Sequence, residues 1–271
     1  MKHIYIENKS KLYIALITTL ISLIILVTGT YAWFTLSLSG KVQEMELKVT
    51  AGDSLYVDTV THTTIAQYNG KNTVDNADIN TQLGNEIRSG LTLGGISMNP
   101  VTSGNGKNFY SQSGSTVSPS ATQYLQFDLY FIGSKAMDVY LAPDSSSGAD
   151  DGTSVTAKPG QTTSRQAIDR CVRISFAEQG QDAKIYEPNR AGNTTLTVNP
   201  AKTDNGGNAT MSSTFDSLGT AASAAKLFTL EAETTKKITV TIWIEGDDPQ
   251  CNDDVKEAIF LTQLRFEGVV R

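Results

Sequence analysis

The sequence predicts an all-β protein: a two-sheet sandwich, jelly-roll-like in topology, with long polar loops and an N-terminal signal or transmembrane helix. Residues 124–132 alternate between apolar side chains, which would share one face of a strand, and polar ones, which would share the other. Residues 238–244 are β-branched almost throughout, which is typical of strands. Stretches rich in Gly, Asn, Ser and Thr separate such segments, and no helical period persists beyond residue 32. These patterns favour packed sheets.

Further segments complete the predicted set of strands. They cover residues 33–42, 45–49, 55–57, 137–141, 171–176 and 258–270. A hairpin is expected at Gly133-Ser134, because small polar residues there separate two strand patterns. Two loop-rich insertions, near 61–120 and 189–225, interrupt the alternation, and the first is expected to hold a short helix near 78–87.

The first 32 residues have the three parts of a secretory signal peptide. A head with three lysines precedes an uncharged apolar run at 12–27, and a short exit follows that ends at Ala32. An uncleaved anchor is the alternative, because the apolar run approaches the roughly 20 residues that span a bilayer. Either interpretation exports the rest of the chain, so we expect a signal segment at 1–32 and an extracellular β-sandwich domain at 33–271.

Charge narrows the choice of partners. The chain carries a net charge of −6, and its first 32 residues hold three Lys and one Glu, so the remainder carries −8. No cluster of Lys or Arg is visible in the sequence, which argues against a nucleic-acid partner. Contact with a membrane is expected only through the N-terminal segment.

Two short signatures resemble a known exported family. Residues 29–35, GTYAWFT, resemble the G-T-[YW]-A-[WYA]-F-[TN] junction that a SipW-type signal peptidase processes in Firmicute proteins, among them the TasA biofilm-fibre and camelysin groups. The cut in that family follows the Ala, so the resemblance implies cleavage between Ala32 and Trp33. Residues 242–251, IWIEGDDPQC, resemble the IWIEGWDPDC ending of proteins with the same signal type, although Asp247 stands where Trp is common. The middle of the chain matches no further family motif.

The resemblance implies a secreted structural protein of a Gram-positive cell surface or biofilm matrix that self-associates into fibres. In such fibres the segment after the cut enters the sheet of the next subunit, and a free strand with one apolar face can complete an open sheet edge. The residues of this donor strand would be Leu36, Leu38, Gly40 and Val42. The alternative for the segment is an ordinary first strand of the chain's own sandwich.

A monomeric surface module that binds a carbohydrate or a host ligand is the alternative function. Aromatic side chains in or near the long loops could offer it stacking faces; these are Tyr68, Phe109, Tyr110 and Tyr186. Aromatic residues scattered in this way are more often part of a core.

The sequence indicates no enzyme. His3 and His62 cannot form the zinc motif of metalloproteases, which needs two imidazoles one helical turn apart. The main acidic cluster lies in and after the second signature, where carboxylate oxygens could bind Ca²⁺ or simply form a solvated turn. Its members are Glu245, Asp247, Asp248, Asp253 and Asp254. No other cofactor is expected.

Cys171 and Cys251 are the only cysteines of the sequence. In an oxidising compartment they could form a disulfide that closes a loop of about 80 residues, which the chain-entropy model rates at about 4.5 kcal/mol. Two unpaired thiols are the alternative.

Overall fold

The computed structural model divides the chain into two compact units, Met1–Leu38 and Ser39–Arg271. The structure describes residues 13, 15–22, 39–50, 55–83, 93–120, 122–145, 148, 150–188, 214–220, 225–248 and 250–271. The predicted cleavage residues Ala32 and Trp33, and Leu36 and Leu38 of the predicted donor strand, therefore lie outside the described residues.

The described part of the first unit is residue 13 and residues 15–22, and residues 15–22 form a helix that we call α1. Apolar side chains of α1 are exposed, among them Leu16 and Leu20. The Thr19 hydroxyl donates a hydrogen bond of 2.9 Å to the Ala15 carbonyl one turn earlier. Within the described residues no helix combines the length and the apolarity needed to cross a membrane.

The second unit is built around two large sheets. In its described residues, a seven-stranded sheet has the order β14-β9-β16-β1-β3, with β10 also paired to β16 and β4 to β1. We call it sheet A. Its strands are β1 (Gly40–Thr50), β3 (Thr73–Val74), β4 (Ser97–Met98), β9 (Met137–Leu141), β10 (Ser154–Ala157), β14 (Phe228–Leu230) and β16 (Ile259–Val270).

A six-stranded sheet, called sheet B, has the order β13-β12-β11-β15-β8-β2. Its strands are β2 (Leu55–Asp58), β8 (Leu125–Gly133), β11 (Val172–Glu178), β12 (Lys184–Tyr186), β13 (Thr214–Phe215) and β15 (Lys236–Ile244). Alternate residues of β8 are buried, as the sequence pattern predicts for a strand with one face on a core.

The two sheets pack face to face through aromatic side chains. The ring of Phe131 in sheet B lies 5.0 Å from that of Phe266 in sheet A, and the Phe176 ring of sheet B lies 5.8 Å from the same residue. Both pairs meet edge to face, which aromatic rings prefer. The predicted all-β sandwich is thereby confirmed.

The region near 61–120 contributes β3 and β4 to sheet A and contains several other short elements. It holds the helix α2 (Asn76–Gln82), 3₁₀ turns at Ile65–Tyr68 and Leu93–Gly95, and a three-stranded sheet. This small sheet consists of β5 (Val101–Thr102), β6 (Phe109–Ser111) and β7 (Thr116–Val117). The predicted short helix thus begins earlier than expected. Much of the insertion near 189–225 lies outside the described residues.

Side-chain amides cover strand edges where strand pairing stops. Beyond the end of β2, the Gln82 amide donates 3.0 Å to the Asp128 carbonyl and accepts 2.9 Å from its N–H, as a neighbouring strand would. Gln161 does the same for Ile259 at the start of β16, with bonds of 2.6 and 2.7 Å. The Asn76 side chain accepts a bond of 2.6 Å from the Met45 N–H. These residues satisfy backbone groups that would otherwise template pairing with another chain.

Two local predictions are wrong. No hairpin forms at Gly133, because β8 belongs to sheet B and β9 to sheet A, so the chain crosses between the sheets there. Gly133 permits this sharp crossing, since a Cβ atom would lie 2.9 Å from the Lys135 carbonyl. The end of the segment predicted at 33–42 and the segment predicted at 45–49 lie in the single strand β1, which begins at Gly40; a register shift between Val42 and Glu44 absorbs the break in the pattern.

Candidate functional site

The IWIEGDDPQC signature lies at the end of β15, beside the start of β11. The two strands are antiparallel, and Ile244 is the partner of Val172. The ladder extends one step further, because the Glu245 N–H donates 2.8 Å to the Cys171 carbonyl. The signature therefore begins as the last part of a central strand pair and continues as a loop, residues 245–251, which we call the signature loop.

Trp243 anchors the signature in a small core between sheet B and the three-stranded sheet. The side chain is fully buried, and its ring lies 5.1 Å from that of Phe109 in an edge-to-face arrangement. Phe109 in turn stacks on Tyr124 at 4.2 Å. The other members of this core are Val101 and Ile185. The three-stranded sheet thus covers this end of the sandwich through Trp243.

The Glu245 carboxylate links the signature to the segment that contains Ser103. It accepts hydrogen bonds of 2.9 Å from the Trp243 indole N–H, 3.1 Å from the Asp247 N–H and 3.4 Å from the Ser103 N–H. Burial raises the pKa of Glu245 above its ordinary value, whereas the Trp243 bond and the charge of Arg173 act to lower it. The carboxylate therefore acts as a structural acceptor between the signature loop and the three-stranded sheet.

Arg173 holds the other acidic residue of the loop. Its guanidinium is fully buried and donates 2.8 Å to Asp248 and 3.2 Å to Glu187. It also donates 2.7 Å to the Arg170 carbonyl and 3.0 Å to the Val172 carbonyl. A buried charge is tolerated only when it is paired and hydrogen-bonded in this way. Asp248 is thereby fixed to β11.

The structure separates the predicted calcium ligands. Glu245 and Asp248 are buried and bound by the partners described above, whereas Asp253 and Asp254 are exposed on a short 3₁₀ turn. Asp247 is partly buried, and its N–H is held by Glu245. In the described parts of the chain, no group of three or more His, Cys, Asp or Glu side chains is arranged to hold a metal ion.

Other predicted residues have definite places. Gly40 and Val42 lie in β1, which pairs in parallel with β16 of the same chain. The two cysteines lie together, both buried and unbridged. Tyr68 and Phe109, suggested as stacking faces for a ligand, are buried. Tyr186 is also in a core, where burial raises its pKa to about 12; Tyr110 is partly buried.

A charged cluster that the sequence did not reveal surrounds His62. The His62 ring lies 2.9 Å from Asp58 and meets Tyr68 edge to face at 4.8 Å. Lys71 bridges Asp58 at 2.9 Å and Asp78 at 2.7 Å. Although burial acts to raise it, hydrogen bonds from His62 and Lys71 lower the pKa of Asp58 below its ordinary value. No spacing in the sequence indicates these pairs, because they depend on how β2 meets the turns after it.

Comparisons of the chain with protein families, with curated proteins and with solved structures found no match. The geometry of the signature is therefore interpreted from its own contacts. The contacts described for Trp243, Glu245 and Asp248 all join parts of the protein, and they favour a structural role for the signature loop over a chemical one.

Replacing Glu245 tests this structural role. We expect Glu245→Ala to lower the free energy of unfolding by about 3 kcal/mol, because it leaves buried N–H donors without an acceptor. Glu245→Gln keeps one acceptor oxygen and should lose about half as much. The control Asp254→Asn, exposed just beyond the same loop, should change stability by less than about 0.5 kcal/mol. Urea denaturation followed by circular dichroism measures the free energy of unfolding of all three variants. A Glu245→Ala variant as stable as the wild type would contradict the structural role of Glu245.

The lowered pKa of Asp58 predicts a specific dependence on acid. Its ionised form stabilises the fold above the ordinary pKa of 3.8, and this contribution is lost as the pH falls through the lower folded-state value. The stability advantage of the wild type over Asp58→Asn, about 1 kcal/mol at neutral pH, should therefore shrink as the pH falls below the ordinary pKa of 3.8. Urea titrations at a series of pH values measure it, and a constant difference would contradict the assignment.

Proposed function

We propose that this chain is an exported structural protein of a Gram-positive cell surface or biofilm matrix, and that copies assemble into fibres by exchanging the N-terminal strand. Support comes from the leader pattern at 1–32, from the two signatures that resemble the TasA and camelysin-like exported family, and from the pairing of β1. The proposal includes a signal helix cleaved after Ala32 by a SipW-type signal peptidase and a jelly-roll-like strand order for the domain.

The pairing of β1 is the observation that carries the proposal. Among the described residues, β1 is the first strand and its long partner β16 is the last. The two run in parallel, so no hairpin joins them, and only residues 51–54 connect β1 to β2 in the other sheet. Its other pairings in the described residues are brief, two residues each with β3 and β4. A β1 from a second copy can therefore make the same contacts, which is the condition for strand exchange.

β1 is also an essential part of the core that receives it. Its inward side chains are almost completely buried; they are Val42, Met45, Leu47 and Val49. Each buried side chain of this size stabilises the domain by about 1.5–3 kcal/mol. A domain whose own β1 is displaced therefore has a strong requirement for another strand of the same sequence.

The start of β1 is fitted to the signature. Gly40 packs so closely on Ile244 that a Cβ atom would lie 2.5 Å from its Cδ1 atom. The Ser39 carbonyl accepts a bond of 2.6 Å from the Glu257 N–H, and the Lys41 N–H donates 2.8 Å to the Ala258 carbonyl. The IWIEGDDPQC signature thus helps, through Ile244, to form the seat of the exchanged strand.

Covered edges support assembly through this route. Gln82 and Asn76 satisfy backbone groups of β8 and β1 where those strands lack a neighbour. Such covered edges are poor templates for indiscriminate pairing between sheets. Exchange of a matched strand is then the favoured way for copies to associate.

A cysteine pair across β1 and β16 distinguishes exchange from an intramolecular strand. Glu46 and Gln263 are register partners on these strands. A disulfide between Glu46→Cys and Gln263→Cys therefore reports which copy of β1 is paired with a given β16. If filaments are grown under reducing conditions and then oxidised, exchange predicts a ladder of covalent multimers on a denaturing gel. The same variant oxidised as a monomer should form no filaments, because β1 is locked in its own domain.

With Cys171 and Cys251 replaced by Ser throughout, the two variants that carry one added cysteine are the matched controls, and each can form at most a covalent dimer. Filaments that form from the locked monomer, or that yield only internally crosslinked chains, would contradict strand exchange. Export is tested separately by mass spectrometry of the secreted protein, which should begin at Trp33. An intact N terminus on protein recovered from the cytosol would contradict the secreted assignment.

A further inference from the structure

Cys171 and Cys251 come together from distant parts of the sequence. Cys171 lies immediately before β11, and Cys251 lies at the end of the signature loop. The two thiols are neighbours, and both side chains are buried. In the described residues these are unbridged thiols.

Ordered backbone holds both residues in place. The Cys171 N–H donates 2.9 Å to the Ile168 carbonyl, and the Cys171 carbonyl accepts 2.8 Å from Glu245. The Cys251 N–H donates 2.9 Å to the Asp248 carbonyl. Asp248 is itself bound to Arg173, two residues after Cys171. The contact between the thiols is therefore a property of the folded strand pair and its loop.

We propose that Cys171 and Cys251 are the site of a structural disulfide that locks the signature loop over Arg173. The bond forms by thiol–disulfide exchange with a small-molecule or protein disulfide. A thiolate of one cysteine attacks that disulfide and releases one thiol, and the thiolate of the other cysteine then displaces the second thiol from the mixed disulfide. Two cysteine thiols are oxidised to one disulfide, the external disulfide is reduced to two thiols, and the two protons end on the released thiols. The inference depends on the export part of the proposed function and is independent of strand exchange.

The surroundings of the thiols determine when the bond forms. The neighbouring Cys171 thiol, burial and the nearby carboxylates Asp248 and Glu245 all raise the pKa of Cys251 well above its ordinary value. Because the thiolate is the reactive form, the folded dithiol exchanges slowly. Oxidation therefore precedes closure of the signature loop, while both residues are still accessible. Once formed, the bond is buried, so external thiols reach it with difficulty.

The bond restrains the part of the chain between β11 and the signature. It closes a loop of about 80 residues, which lowers the entropy of the unfolded chain and stabilises the folded one. It also keeps Asp248 beside the buried Arg173 guanidinium, where loss of the carboxylate would leave an unpaired charge. The disulfide is thus a device for stability, with no redox switching.

Labelling of the secreted full chain tests the bond directly. The protein is denatured in excess maleimide without reductant and its intact mass is measured. A disulfide predicts no label and a mass lower by two hydrogens than that of the reduced chain. Two maleimide labels on the secreted protein overturn the proposal. Refolding the purified full chain in a glutathione redox buffer gives the same readout without any dependence on export.

Thermal unfolding provides the matched control. Reduction in denaturant followed by refolding with reductant should lower the Tm of the wild type by about 10 °C. The variant that combines Cys171→Ser and Cys251→Ser should melt near the reduced wild type and should not respond to reductant. An equal response in that variant, or none in the wild type, overturns the proposal. Filament formation is read separately, so its failure leaves the disulfide result intact.

Discussion

The position of the signature loop depends on the buried guanidinium of Arg173. A charge on a fully buried side chain must be paired, and Arg173 finds its carboxylates on two other segments, Glu187 after β12 and Asp248 in the signature loop. These pairings bring the loop back across β11. The position of the loop then places Glu245 under the indole of Trp243 and Cys251 beside Cys171.

This constraint gives the IWIEGDDPQC signature a physical meaning. Trp243 fills the small core, Glu245 satisfies buried donors, Asp248 neutralises Arg173 and Cys251 meets Cys171. Ile244 contributes by contacting Gly40 at the start of β1. Each of these residues closes the fold or shapes the seat of the first strand. The proposed strand exchange would require such a rigid end, since an exchanged strand needs a fixed receptor.

The sequence predicted the long strands well and their partners poorly. Alternation located β8, β15 and β16, because a strand with one face on a core carries that period wherever it lies. The crossing at Gly133 was mistaken for a hairpin, since small residues mark any sharp change of direction. Alternation also cannot say which sheet a strand joins, so the parallel pairing of β1 with β16 was not foreseen.

The candidate site was predicted only in part, for a similar reason. The acidic residues of the signature were recognised as a cluster, but spacing could not reveal that Arg173, 75 positions away, would bind one of them. One donor that faces Glu245, the Ser103 N–H, lies 142 positions away, and the sequence does not show that the nearby Trp243 indole is turned toward the same carboxylate. Burial decides the role of such carboxylates, and burial is a product of the whole fold.

The central claim is that the signature loop is a fixed part of the strand framework, and native-state hydrogen exchange of its first amides tests this most directly. The Glu245 N–H is bonded to the Cys171 carbonyl at 2.8 Å and the Gly246 N–H to the Val101 carbonyl at 2.9 Å. We expect both amides to exchange as slowly as those in the middle of β15, through opening of the whole domain. Exchange as fast as that of an exposed turn such as Gly180 would contradict the account.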